Sequence, residues 1–242
     1  MGNRNPILVT GSHRSGTTWV GKVIESSGLV NYIDEPLNPG HQRNFNGFWF
    51  KGKVPKIWFP AIDYLNENNY KKGYDKIIKG NYDFFKLKPK KYKEFKYVSK
   101  LILKTNKKNR VLLKDPIALF SSAWLYEKYK TKNIVLVRNP LAFISSLKKN
   151  KWSHDFNDFL IQNQFLKSTL SDFFEEIEKF SKKPRSVIDQ GILFSNIFNC
   201  YIFKLKQAYP SWHFVSLEKI ALNPEKEFQK IFNHLELDFN ES

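Results

Sequence analysis

The apolar run ILVT, residues 7–10, passes without a break into GSHRSGTT, residues 11–18, and from there into WVGKVIESSG. No other stretch restricts the possible folds as much. A short apolar run ending in glycine reads as a buried strand, and residues 16–27 carry Trp19, Val20, Val23 and Ile24 at helical spacing, closed by Gly28. Residues 10–15 are then the connecting loop. A strand that turns through glycine into a helix aims several backbone N–H groups and the positive end of the helix dipole at one point, which makes an anion site. In nucleotide triphosphatases the same frame places a lysine after the last glycine, on the β- and γ-phosphates, and a hydroxyl on magnesium. Here Thr17 stands in the lysine position. The cation of the loop is Arg14, whose planar fork suits a tetrahedral oxyanion better than a metal-bridged triphosphate chain. Taken alone, the turn is equally compatible with a tight strand-helix connection that binds nothing.

The rest of the chain repeats the strand-then-helix alternation. Strands are expected at residues 30–33, 111–113, 133–137 and 213–217, and helices at 119–129, 141–150, through most of 155–208, and from Pro224 onward. That alternation predicts an α/β fold with a central parallel sheet. Residues 41–75 have no clean period and read as an irregular insertion with short helices, the insertion extending to about residue 110. With 242 residues and no linker or repeat, the chain reads as one domain, residues 1–242. Hydrophobic residues make up 41% and aromatics 16%, a folding composition. The single cysteine, Cys200, excludes an internal disulfide framework, and His13, His41, His154, His213 and His234 show no ligand spacing, so no metal is expected. No signal peptide or membrane anchor is visible, and the expected location is cytoplasmic.

The net charge of +17 calls for an acidic partner. Eleven of the basic residues lie between Lys86 and Arg110, against one acid, Glu94. Two readings follow: a peripheral contact with an anionic membrane surface, or a solvated helix face. No nucleic acid partner is expected.

A second cationic element sits in RNPLAFISSL, residues 138–147. Arg138 emerges at the carboxyl end of an expected strand, where open parallel sheets bind ligands, and Ser146 follows in the next helix. Together they can grip a phosphate separate from one held by the first loop. The plainer alternative is an arginine paired at the sheet edge and a surface serine.

In order, GSHRSGTTW, DEP, KDP and VRNPLAFISS resemble the sulfotransferases that use 3′-phosphoadenosine 5′-phosphosulfate (PAPS). The resemblance is greatest to the tyrosylprotein and Golgi carbohydrate sulfotransferases and their bacterial relatives. It spans roughly residues 7–150, with a weaker echo at FVSLEKIALNPEKEF. It implies a three-layer, P-loop NTPase-like fold, PAPS as donor, adenosine 3′,5′-bisphosphate as product and no metal. It also implies that the loop from His13 through Arg14, Ser15, Gly16, Thr17 and Thr18 holds the 5′-phosphosulfate, that Trp19 lies against the adenine, and that Arg138 and Ser146 grip the 3′-phosphate. Glu35 matches the family's base, which takes the proton of the acceptor hydroxyl because an alcohol is a poor nucleophile at neutral pH. Lys114, with Arg14, matches the groups that meet charge on the leaving phosphate. The EP pair, Glu35 and Pro36, resembles the carbohydrate group most, which implies a glycan or glycolipid acceptor. Without the resemblance, a magnesium-dependent P-loop phosphotransferase and a polyanion-binding protein stay open.

Three departures stand out. Leu217 replaces a tyrosine common before Glu218, so Glu218 is given no nucleotide contact. The sequence stops at Ser242, before the glycine- and lysine-containing loop that closes over the nucleotide in relatives, so that segment is expected to be absent. The acceptor segments, expected within residues 36–110 and 150–205, match nothing in the family; Phe45, Phe48, Trp49, Phe50, Trp58 and Phe59 are either ring-stacking walls or the core of the insertion.

Overall fold

A computed structural model describes residues 5–40, 49–50, 56–80, 92–106, 108–183 and 185–239. Phe45, Phe48, His41, Lys86 and Ser242 lie outside the described residues. The apolar run at the start forms β1, Ile7–Gly11, every residue of it buried. On one side it pairs with β3, Arg110–Lys114, and on the other with β4, Lys132–Val137. β2, Val30–Asp34, lies outside β3, and β5, His213–Ser216, outside β4. All four pairings are parallel, in the order β2-β3-β1-β4-β5. The chain leaves β1 toward one edge of the sheet and later returns to fill the other. The crevice at the carboxyl ends of β1 and β4 is therefore the switch point where such sheets take ligands.

Alternation along the strands builds two cores. Ile7 and Val9, Leu112, Ile134 and Leu136 face one side, where α1 (Thr17–Ser26) lays Val20 and Ile24 on them. The last helix, α11 (Pro224–Leu235), adds Phe228, Ile231 and Phe232 to that side. Leu8, Leu113 and Val135 point to the other face, beneath the larger core. The result is three layers, with the sheet apolar on both faces as a parallel sheet requires. Each fully buried Val or Ile in these layers stabilises the fold by about 1.5–3 kcal/mol.

The insertion belongs to that larger core. It supplies α2 (Glu67–Ile78) and α3 (Tyr92–Lys104), whose Tyr70, Tyr74, Ile77 and Val98 are buried with Trp49 and Phe50. α3 leaves Tyr92 and Leu103 exposed. None of the described helices is long and apolar enough to cross a membrane.

Boundaries differ from the sequence expectation in two instructive places. Residues 116–121, whose last three were expected to open the helix 119–129, form a tight 3-10 turn before α4 (Ser122–Tyr129), because Asp115 caps it at Ile117 N and Pro116 fixes its first residue. The fifth strand stops at Ser216, whose hydroxyl accepts from Lys219 N and so starts a helix, α10 (Leu217–Leu222), where a strand residue was expected. Between these come α5 (Pro140–Asn150), α6 (Asn157–Leu160), α7 (Asn163–Thr169), α8 (Phe174–Lys182) and α9 (Val187–Ala208).

Candidate active site

The glycine-rich loop takes its shape from two glycines. Gly11 ends β1 at φ 142°, and a Cβ there would lie 2.2 Å from the Leu136 carbonyl oxygen of the neighbouring strand. Gly16 precedes α1 at φ 89°, where a Cβ would lie 2.5 Å from Leu217 Cδ1. Arg14 between them is also left-handed, at φ 65°. No side chain caps α1. Its first N–H groups, at a helix N-terminus with no acid in the first turn, are left for an anion. Gly16, Thr17 and Thr18 line a cavity of about 710 Å³.

The two cations read from the sequence meet at this cavity. Arg138 leaves the end of β4 and donates through Nη1 to the Arg14 carbonyl, while its buried Nε has no partner among the described residues. Arg14 donates from Nε to Ser146 Oγ at 3.0 Å, and its guanidinium lies 5.1 Å from the Trp152 ring centroid. Asn139 caps α5 by accepting from Leu141 N and Ala142 N, and Pro140 sets the first turn, which fixes the direction in which Ser146 is delivered. Glu218, given no ligand role, accepts from Asn139 N at 3.0 Å and ties α10 to the same corner.

Glu35 lines the same cavity. Its backbone is left-handed at φ 43°, and its N–H donates to the Lys114 carbonyl at 2.8 Å. Lys114 Nζ bridges Glu35 Oε1 and Asp34 Oδ1, each at 2.6 Å, and Asn38 Nδ2 donates to Glu35 Oε2 at 2.5 Å. Lys114 is 3% exposed. Burial pulls its pKa down, but Glu35 and Asp34 outweigh burial and hold the ammonium above its usual range. Asp115 is buried behind the pair and accepts from Leu37 N and Ile117 N. Burial first, then the charge of Glu35, pushes its carboxyl up to about 8, against two N–H bonds that favour the ionised form.

The structure thus brings His13, Arg14, Gly16, Thr17, Thr18, Glu35 and Arg138 to one cavity. It places Lys114 and Ser146 one contact behind that wall, on Glu35 and Arg14. Ser15 is buried with no partner for Oγ among the described residues. Trp19, expected on the inner face of α1 and against the adenine, is 40% exposed and sits edge-on to Phe228 at 5.5 Å, outside the cavity lining. Tyr32 and Lys114 crowd the opposite side of that helix at Gly21.

The aromatic side of the cavity is formed by Trp58 and Phe59, both among the ring-stacking candidates read from the sequence, and by Trp152 and His154, which sequence reasoning passed over as site residues. The Trp58–Ala61 stretch is pinned by Asp158 Oδ2 at Trp58 N and by Gln162 Oε1 at Ala61 N. Gln190 Oε1 holds His154 N at 2.9 Å. The signal available in the sequence was WSH, just past the basic end of α5, where Lys151 turns left-handed at φ 52°.

His13 and His154 pack ring against ring at 5.1 Å, inside a shell that includes Phe59, Phe143, Phe194 and Phe198. Burial holds His13 well below the usual imidazole range and pulls His154 down to about 4; His213 and His234, paired at 5.5 Å, are also lowered by burial. A neutral folded imidazole that protonates on unfolding costs stability as pH falls from about 6.5 toward 4, by at most about 1.4 kcal/mol per pH unit for each fully buried ring. Asp115, with its raised pKa, opposes this over the same window with one proton. The melting temperature is expected to fall steeply between pH 6.5 and 4.5 and less steeply in His154→Phe. A flat thermal-melt profile over that range contradicts the assignment.

The molecule is a parallel α/β protein with a glycine-rich loop at the switch point, Arg14 on that loop, Arg138 at the end of β4 beside it and the Glu35 carboxylate at the same cavity. A sequence profile of the sulfotransferase domain matches residues 4–242, and the chain belongs to that family. Among solved structures it is similar to the "Sulfotransferase Domain from the Curacin Biosynthetic Pathway", at 15% identity and a TM-score of 0.52. That match covers 99% of this chain and 77% of the other, a likeness of fold. No curated protein matches the sequence. Family membership makes sulfuryl transfer to a hydroxyl-bearing acceptor the activity to be explained.

Proposed function

We propose that the protein moves the sulfuryl group of PAPS to a hydroxyl of a glycan or glycolipid, with Glu35 as the base. The observation that carries the reading is the meeting of Arg14, Arg138 and Glu35 at one cavity. The residues suit such a donor. Arg138 has a buried Nε with no partner among the described residues, and the head of α1 is uncapped, so two separate groups are ready for anionic oxygens. Arg14, Thr17, Thr18 and the Gly16 backbone would hold the 5′ end, and Arg138 with Ser146 the 3′-phosphate.

When bound, PAPS supplies a sulfuryl group already activated by its link to phosphate. Glu35 then takes the proton of the acceptor hydroxyl. Lys114, kept protonated by Asp34 and Glu35, and Arg14 keep positive charge close to where negative charge grows. Thr17 in place of a lysine fits a donor with no γ-phosphate. Trp58 and Trp152 offer aromatic faces on which a sugar ring can stack, which supports the acceptor class.

Thermal shift tests the reading directly. Adenosine 3′,5′-bisphosphate is expected to raise the melting temperature with or without magnesium, and ADP or ATP to do so little. Arg138→Ala is expected to abolish most of the shift. Stabilisation by ATP that requires magnesium would replace this reading with a phosphotransferase. A screen of labelled PAPS against neutral and anionic glycans and glycolipids then identifies the acceptor.

A further inference from the structure

We infer that Asp115 is a positioning residue for the transfer, fixing through the Leu37 amide the turn that presents Glu35 to the cavity. The inference rests on the reading of Glu35 as base.

The turn that carries Glu35 has few ways to be held. Pro36 has no N–H, so residues 35–37 have two backbone donors, those of Glu35 and Leu37. The first goes to the Lys114 carbonyl at 2.8 Å and the second to Asp115 Oδ2 at 2.8 Å. Besides the burial of Leu37 in the larger core, the two backbone donors of this segment therefore both go to consecutive residues at the end of β3. Those residues are themselves fixed, since Asp115 N donates to the Val9 carbonyl of β1 at 2.9 Å. Glu35 at φ 43° is in a conformation that non-glycine residues enter only when their surroundings compel it. The Asn38 N–H closes the turn on the Glu35 carbonyl at 3.1 Å, and the Leu37 contact, two residues beyond Glu35, ties that turn to Asp115.

A capping role alone does not explain an acid here. Asp115 Oδ1 accepts from Ile117 N at 2.9 Å and so caps the 3-10 turn, a task that asparagine or serine performs as well. Only the second oxygen, on Leu37, requires an acid, because a carboxyl group offers an acceptor oxygen to each N–H and an amide offers one. Burying that acid, 1% exposed and near Glu35, is costly, and the fold gains from it the fixed placement of the base.

Asp115→Asn separates the two tasks. Its amide oxygen keeps the cap on Ile117, while its NH₂ meets the Leu37 N–H donor to donor. Turnover with saturating labelled PAPS, and the acceptor found in the screen, is expected to drop at least tenfold, with the bisphosphate thermal shift unchanged. The double variant Asp115→Asn with Glu35→Gln is expected to be no slower than Glu35→Gln alone within about twofold, because both act on one group. Native turnover in Asp115→Asn, or losses that multiply in the double variant, would overturn the inference. Should Asp115→Asn not fold, amide exchange in the native protein decides: a strongly protected Leu37 N–H supports the clamp, and exchange at the rate of an open turn refutes it. Failure of the bisphosphate to stabilise the native protein would instead remove the sulfotransferase reading, and leaves the amide measurement independent of it.

Discussion

Glu35→Gln is expected to retain the native thermal shift with adenosine 3′,5′-bisphosphate and to lose sulfuryl transfer by about 10²- to 10⁴-fold, the usual contribution of a positioned general base. The substitution is nearly isosteric, so the turn from Glu35 to Asn38 keeps its backbone bonds. It removes the group that accepts the proton. Lys114 retains Asp34 at 2.6 Å and remains charged, so the loss is not that of a second group. The Asn38 Nδ2 contact is reversed or broken when an amide replaces the carboxylate, a small local cost that binding of the bisphosphate does not register. Turnover of Glu35→Gln at the native rate, measured with labelled PAPS and the identified acceptor, would dismiss Glu35 as the base.

Gly11→Ala is expected to be the most destabilising single methyl that can be added to the sheet. A Cβ there would sit 2.2 Å from the Leu136 carbonyl oxygen, 2.9 Å from its carbonyl carbon and 2.9 Å from its nitrogen. All three are backbone of the adjacent strand, where Gly11 is in register with Leu136, so no side chain can swing aside. The φ of 142° adds a conformation that alanine rarely adopts. A loss of about 3 kcal/mol is a fair scale for a backbone clash with strain. For a chain of this size that corresponds to a fall of about 6–12 °C in melting temperature. Calorimetry giving a native melting point for Gly11→Ala would contradict the close approach of β1 and β4.

Much of the frame was legible because it is local. ILVT followed by glycine has one sensible reading, and Pro140 and Pro224 mark helix starts by their own backbone chemistry. Arg14, Glu35 and Arg138 were found because each sits where a strand ends, and parallel strands end at the same rim. What was missed depends on contacts between distant segments. Trp19 has helical spacing with Val20 and Val23, yet it is partly exposed, because Tyr32 and Lys114 crowd the opposite side of its helix at Gly21. Asp34 reads as a solvent-facing turn acid until Lys114, 80 residues on, is seen between it and Glu35. The Trp152–His154 wall has no period of its own; Gln190 and Arg14 place it. Leu217 passes for the end of a strand until the Ser216 hydroxyl turns the chain into a helix.

The insertion between β2 and β3 has one more consequence. Its Tyr70, Tyr74, Ile77 and Val98 are welded into the same interior as the sheet, so the segment is not a detachable module. Grafting this segment from a relative, or trimming it, is expected to cost the ability to fold. Trp58 and Trp152 are tied into that interior too, with ring centroids 6.0 Å from His154 and 6.3 Å from His13, so a change on the aromatic side of the cavity reaches the core as well.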